Sequence, residues 1–101
     1  MDDLLHLGKQ VLASQPFSML VGAELTGFSH GRAELTISIT PQLKQQHGFV
    51  HGGVISYAAD NALTFAGGSV LGPAVVTSKY KINYLKPAMG TAIIARATVI
   101  Y

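Results

Sequence analysis

The chain has 101 residues, 49% of them hydrophobic and only 12% charged; that length holds one domain. Charge usually makes up about a quarter of a soluble domain, so this chain is expected to cover apolar surface by pairing with copies of itself. A net charge of +2 is too weak to argue for a nucleic-acid partner, though it suits a small anionic ligand. The absence of cysteine excludes disulfides, thiolate catalysis and Cys-based metal sites.

Residues 2–14 read as a helix. Asp2 or Asp3 can cap its start, and Leu4, Leu5, Leu7, Val11 and Leu12 recur at near-helical spacing. Pro16 prevents a simple continuation. Val21 to Phe28 reads as a strand, and Ser29-His30-Gly31 as a turn. From Arg32 to Thr40 the sequence alternates strictly, with Ala33, Leu35, Ile37 and Ile39 on one face. That is a half-buried strand, paired with the preceding one in a hairpin. Residues 41–50 form a polar loop. From Gly52 to Ala66 almost no polar face is left, which predicts a buried helix ended by Gly67-Gly68. Gly72-Pro73 marks a turn. Two long strands, 75–85 and 91–101, follow, joined by the five residues Lys86 to Gly90.

Helix, two strands, buried helix and two strands imply an α+β domain over residues 1–101, an antiparallel sheet wrapped against a central helix. The chain stops at Tyr101 while still reading as strand, so the expectation is a fragment lacking its last strand or strands. The start has no basic signal-peptide region. No window of about 18 apolar residues spans a membrane, so a cytoplasmic protein without a membrane partner is expected.

The chemistry concentrates in His51-Gly52-Gly53 and Asp60. Two glycines at a helix start expose backbone N–H groups without intrahelical partners, and the helix dipole adds positive potential there. A ligand carbonyl can approach them, as in an oxyanion hole. The alternative is a flexible loop entering a helix. Asp60 lies among Ala58, Ala59, Ala62 and Leu63. Burial would raise its pKa, as for many catalytic acids and bases. The alternative is a carboxylate bonded to Ser56 or Thr64. Gly52 and Asp60 are eight residues apart, roughly 12 Å along a helix. That is too far to act on one carbonyl, so a shared site requires two subunits.

His51-Gly52-Gly53, six residues, then Asp60-Asn61-Ala62 resembles the signature of hotdog-fold acyl-CoA thioesterases, in the phenylacetic-acid-degradation branch. Gly48-Phe49-Val50 and Tyr84-Leu85-Lys86-Pro87 agree with it, and the resemblance covers roughly residues 15–101. It implies a hotdog fold, a homodimer or homotetramer, and hydrolysis of an aromatic or medium-chain acyl-CoA to free acid and CoA. Asp60 would be the general base or nucleophile, and the Gly52 N–H of the facing subunit would polarise the carbonyl. His51 would shape the turn and bond substrate or Gln45. Gln45 would sit near the thioester, and Thr77 would orient the water. Gly53 and Asn61 would contact the substrate. Relatives have one or two further strands.

Lys79 and Lys81 share a strand face with Thr77 and suit CoA phosphates, or are simply a solvated face. Phe17, Met19, Phe49, Leu63 and Phe65 are candidates for an acyl pocket or for plain core. His6, His30 and His47 without matching carboxylates make no metal site, and no cofactor is implied. Two other readings compete with the hydrolase. One is a non-catalytic module binding acyl-CoA or an aromatic acid; a buried carboxylate argues against it. The other is a hydratase or dehydratase, whose expected Asp and His motif is absent.

Overall fold

The alternating segment becomes β2 (Arg32–Ser38), with Ala33, Leu35 and Ile37 buried and Arg32 and Ser38 exposed. Ile39 lies past its end and is only partly buried. In this computed structural model residues 3–71, 80–85 and 92–99 are described, with side chains except at 71 and 80–85. The other elements are α1 (Asp3–Ala13), α2 (Pro16–Val21), β1 (Ala23–Ser29), a 3-10 turn (Pro41–Leu43), α3 (Gly52–Leu71), β3 (Tyr80–Leu85) and β4 (Ala92–Val99). The strands form one antiparallel sheet in the order β1-β2-β4-β3.

The sheet's inner face is built from cross-strand pairs. Ala33 faces Ala97, Leu35 faces Ala95, and Ile37 faces Ile93. All six are buried. The small side chains on β4 let α3 settle close, and α3 answers with Ala58, Ala62 and Ala66, each wholly buried. Alternation in β1 is reset by a bulge between Leu25 and Gly27. Ala23 and Leu25 point inward before it, and Phe28 meets Phe65 edge-to-face after it, with ring centroids 5.3 Å apart. One extra residue changes the parity of a strand in this way.

Two expectations are corrected. Val21, expected to open the first strand, instead ends a short helix, and the strand begins at Ala23. Pro16 occupies the first turn of α2, where its missing N–H is no loss, and Gly22 ends the helix at φ 74. The central helix also runs past Gly67-Gly68 to Leu71. Glycine in a helix interior costs about 1 kcal/mol. Anchoring beyond the pair works against that cost: Ser69 Oγ accepts the Gly31 N–H at 2.8 Å and donates to the Ala66 carbonyl at 2.7 Å.

Helix α1 lies on β1 through Gly8 and Leu12, both buried. Gly8 is there because nothing larger fits. A Cβ at that position would lie 2.5 Å from Leu25 Cδ2 and 2.6 Å from Phe28 Cδ2. The turn expected at Gly72-Pro73, residues 75–79 of the third strand, and the 86–90 connection lie outside the described residues.

Candidate active site

The loop before α3 is pinned at both ends. The His51 N–H donates to the Leu43 carbonyl at 2.8 Å, and the Gln45 N–H to the Phe49 carbonyl at 2.7 Å. Lys44 and Val50 form an antiparallel bridge, and Gly48 turns the chain at φ 86. The Gln45 side-chain oxygen accepts the His47 N–H. The expected His51–Gln45 contact is therefore replaced by two local bonds. The His51 ring caps the helix instead, Nδ1 accepting the Gly53 N–H at 2.9 Å. This acceptor role places the proton of a neutral His51 ring on Nε2. The Val54 N–H donates to the His51 carbonyl at 3.0 Å.

These bonds use the N–H groups of Gly53 and Val54 and leave that of Gly52 without a partner among the described residues. A Cβ at Gly52 would meet nothing within 4 Å, so the space around it is open. One unpaired N–H stands at the positive end of a 20-residue helix. Gly53 is tighter: a Cβ there would lie 3.1 Å from His51 Nδ1.

Asp60 is not buried, contrary to the expectation from its apolar neighbours. Those neighbours differ in direction. Val54, Ala58, Ala62 and Phe65 face the sheet, whereas Ser56, Asp60 and Thr64 recur every fourth residue on the exposed side. Neither Ser56 nor Thr64 bonds the carboxylate. The Thr64 hydroxyl donates to the Asp60 backbone carbonyl at 2.9 Å, and the carboxylate has no partner among the described residues.

Asn61 turns the other way and is 7% exposed. Its amide nitrogen donates to Gln15 Oε1 at 3.1 Å and to the Tyr57 hydroxyl at 3.0 Å. Tyr57 donates to Ser18, and Ser18 Oγ donates to Gln15 Oε1 at 2.6 Å. This network stitches α2 to α3. It escaped sequence reading, although polar residues one turn apart on the inward side of an apolar helix (Tyr57 and Asn61) were a signal for it.

Two cavities flank these groups. One, of about 510 Å³, lies between α1 and α3 and includes Gln15, Asn61, Thr64 and Phe65 in its wall. The other, of about 610 Å³, is lined by Phe17, Leu20, Lys44, His51 and Val54. Of the expected acyl-pocket residues, Phe65 and Phe17 line cavities here, Phe17 lying edge-to-face on Tyr57 at 5.1 Å. Phe49 is exposed, Met19 lies apart beside β1, and Leu63 packs against the core. Thr77, Lys79 and the Lys81 side chain lie outside the described residues. Among the described residues, no cluster of His, Asp or Glu could hold a metal, and no helix is long and apolar enough to cross a membrane.

Comparison with known proteins agrees with this architecture. The profile of the thioesterase superfamily matches residues 47–101, which include His51, Gly52 and Asp60. A thioesterase family protein from Silicibacter pomeroyi is 36% identical over 92% of this chain and 70% of its own, with a TM-score of 0.74. A thioesterase from Haemophilus influenzae is 27% identical over 93% of this chain and 66% of its own, with a TM-score of 0.69. The PaaI protein of the E. coli phenylacetic acid degradation operon shares the fold, at a TM-score of 0.61 and 19% identity over 97% and 96% of the two chains. No protein of curated function matches. The sheet wrapped on one long helix is thus the hotdog fold. With half the sequence matched by the family profile and 36% identity to a solved member, the chain belongs to the thioesterase superfamily.

Proposed function

We propose that this chain hydrolyses acyl-CoA thioesters, with each active site assembled from two copies. The observation that carries this reading is the pairing of two unspent groups on α3: the Gly52 N–H at its start and the Asp60 carboxylate on its open side. Eight residues, roughly 12 Å of helix, separate them, so one chain cannot present both to one carbonyl. In a twofold dimer the Gly52 N–H of one copy meets the Asp60 of the other.

The thioester carbonyl oxygen accepts the Gly52 N–H, backed by the helix dipole. Asp60 takes a proton from water as the water oxygen bonds to the carbonyl carbon. The tetrahedral oxyanion stays on the Gly52 N–H. Its collapse breaks the C–S bond, and the proton held by Asp60 passes to the leaving thiolate. Free acid and CoA result. In the alternative, Asp60 itself attacks the carbonyl carbon; the C–S bond breaks, CoA leaves as thiolate, and water then opens the mixed anhydride to free acid and the Asp60 carboxylate. His51 serves by fixing the turn that aims Gly52. On this reading Gln45, Gly53 and Thr77 stand near the thioester, as the resemblance implies, and Lys79 and Lys81, which share a strand face with Thr77 in the sequence pattern, meet the CoA phosphates.

The test mixes two inactive variants. Asp60→Asn removes the base. Gly52→Pro removes the N–H and fills the open space beside it with the proline ring, in a position of the helix's first turn where proline is accepted. Each alone should lose about 100-fold or more in kcat, read as thiol released from a panel of acyl-CoAs. Mixed and re-equilibrated, they should regain about a quarter of wild-type activity, because half the dimers are mixed and each of those carries one intact site. No recovery, with mixed dimers demonstrated, defeats the shared site. Tight acyl-CoA binding without any thiol release would show a binding module.

A further inference from the structure

We propose that the outer face of the sheet carries a second binding site, a cleft beside the turn between β1 and β2 that takes the phosphate monoester of a small polyol. This face is turned away from α3. None of the residues lining the cleft is assigned a part in thioester hydrolysis, so the inference stands apart from that reading.

Topology assembles the site. Register pairs Ser29 with Arg32 across the turn, and Arg32 with Thr98 on β4. A hydroxyl residue therefore stands on each side of Arg32. Two residues along, Glu34 pairs with Arg96. Arg32 and Arg96 are thus diagonal neighbours, a spacing of about 7–8 Å that long side chains can close. The bulge between Leu25 and Gly27 breaks the flatness of the face at this point. A Cβ at Gly27 would lie 3.3 Å from Glu34 Cβ, so glycine keeps the cleft open beside Glu34. The space is about 240 Å³, with Gly27, Ser29, Arg32, Glu34, Arg96 and Thr98 in its wall.

Charge names the ligand. Arg96 gives Nε to Glu34 Oε2 at 2.7 Å, which fixes the guanidinium plane. The fork of its two Nη groups has no partner among the described residues, nor do the exposed Arg32 guanidinium and the Ser29 and Thr98 hydroxyls. One carboxylate stands against two guanidinium groups. Like charges on neighbouring strands oppose folding, and an anion held between them relieves that repulsion. A planar fork suits phosphate through two parallel hydrogen bonds. Phosphate fills only part of the space. The two hydroxyls and the Glu34 oxygens can bond alcohol groups in the rest.

Position separates the cleft from the thioester site of the same chain. Gly31, in the adjoining turn, bonds Ser69 near the far end of α3. Ser69 is seventeen residues from Gly52, roughly 25 Å of helix.

The experiment titrates glycerol 3-phosphate into the whole chain by calorimetry at fixed ionic strength, with glycerol and acetate as controls. Wild type should bind glycerol 3-phosphate more tightly than inorganic phosphate, and should bind neither control. Arg32→Gln and Arg96→Gln should each weaken binding by about tenfold or more, as for lost hydrogen bonds to a charged group. Arg32→Lys keeps the charge without the fork and should weaken it as well. Lys9→Gln removes the same charge from α1 and should leave binding unchanged. Thermal melts check that each variant folds, and the ligand should raise the melting temperature of wild type and Lys9→Gln alone. Lys81, assigned above to the CoA phosphates, pairs with Thr98 in register, so a last arm separates the two anions. Both arginine-to-glutamine variants should keep the wild-type KM for acyl-CoA. A raised KM, with CoA displacing glycerol 3-phosphate, gives the cleft to the substrate and overturns the second site. Binding that acetate matches, or that Lys9→Gln weakens as much as Arg32→Gln, shows an adventitious ion only and overturns it too. If no acyl-CoA is hydrolysed, the hydrolase reading fails while the titration still decides this one.

Discussion

The two sides of α3 do different work. On one side, Val54, Ala58, Ala62, Phe65 and Ala66 are buried against the sheet, and small residues bring helix and strands together. On the other, Ser56, Asp60 and Thr64 are exposed, and the carboxylate at the centre has no partner among the described residues. On the proposed reading, the difference separates folding from chemistry within one helix. The sheet-facing side needs its shape to hold the fold. The open side contributes little to the stability of the chain, and so is free to carry reactive groups.

That division can be broken from either direction. The largest effect should come from Asp60→Asn, with kcat reduced about 100-fold or more and the melting temperature nearly unchanged, as for a surface substitution within about 0.5 kcal/mol. An active but destabilised variant would make Asp60 a structural residue. Ala62→Leu should do the opposite. Ala62 is fully buried, and overpacking there should cost about 1–3 kcal/mol. In a domain of this size that lowers the melting temperature by about 4–8 °C per kcal/mol, while kcat per folded molecule is kept. Thermal melts and active-site titration on one preparation distinguish the two.

The smallest effect concerns the outer sheet face, which belongs to neither side. There Arg96 Nε donates to Glu34 Oε2 at 2.7 Å and the Thr26 hydroxyl donates to Oε1 at 2.7 Å, holding the Glu34 carboxyl below its usual pKa. A lowered folded-state value contributes stability above the ordinary carboxylate pKa and loses it as pH falls through the depressed one. The pair is partly exposed, so Glu34→Gln should cost about 0.2–1 kcal/mol near neutrality. The difference from wild type should vanish in acid. A gap that widens as pH falls would reverse the assignment.

Much of this was written in local pattern. The alternation from Arg32 fixes β2 because every second residue must meet the same core, and the apolar run after His51-Gly52-Gly53 marks the central helix. What the sequence hid depended on direction or on distant partners. Pro16 reads equally as a stop and as a start, and only Gly22 at φ 74 shows that a short helix lies between them. Asp60 and Asn61 are neighbours in the chain but about 100° apart around the helix axis. Composition alone could not say which of them faces the sheet. Asn61, expected to touch substrate, gives its amide nitrogen to Gln15 and Tyr57. The continuation of α3 beyond Gly67-Gly68 required Ser69 to find Gly31, thirty-eight positions earlier.

That last contact makes the backbone of Gly31 a clasp. Its N–H closes on Ser69 at 2.8 Å, and its carbonyl receives the Val99 N–H at 2.8 Å. One two-residue turn thereby latches the tail of the helix to the far end of a strand that arrives much later in the chain. Chain entropy opposes each closure separately, but after the first is made the second spans a far shorter effective loop. The turn, the helix tail and the end of β4 are therefore expected to come undone together, as one cooperative unit.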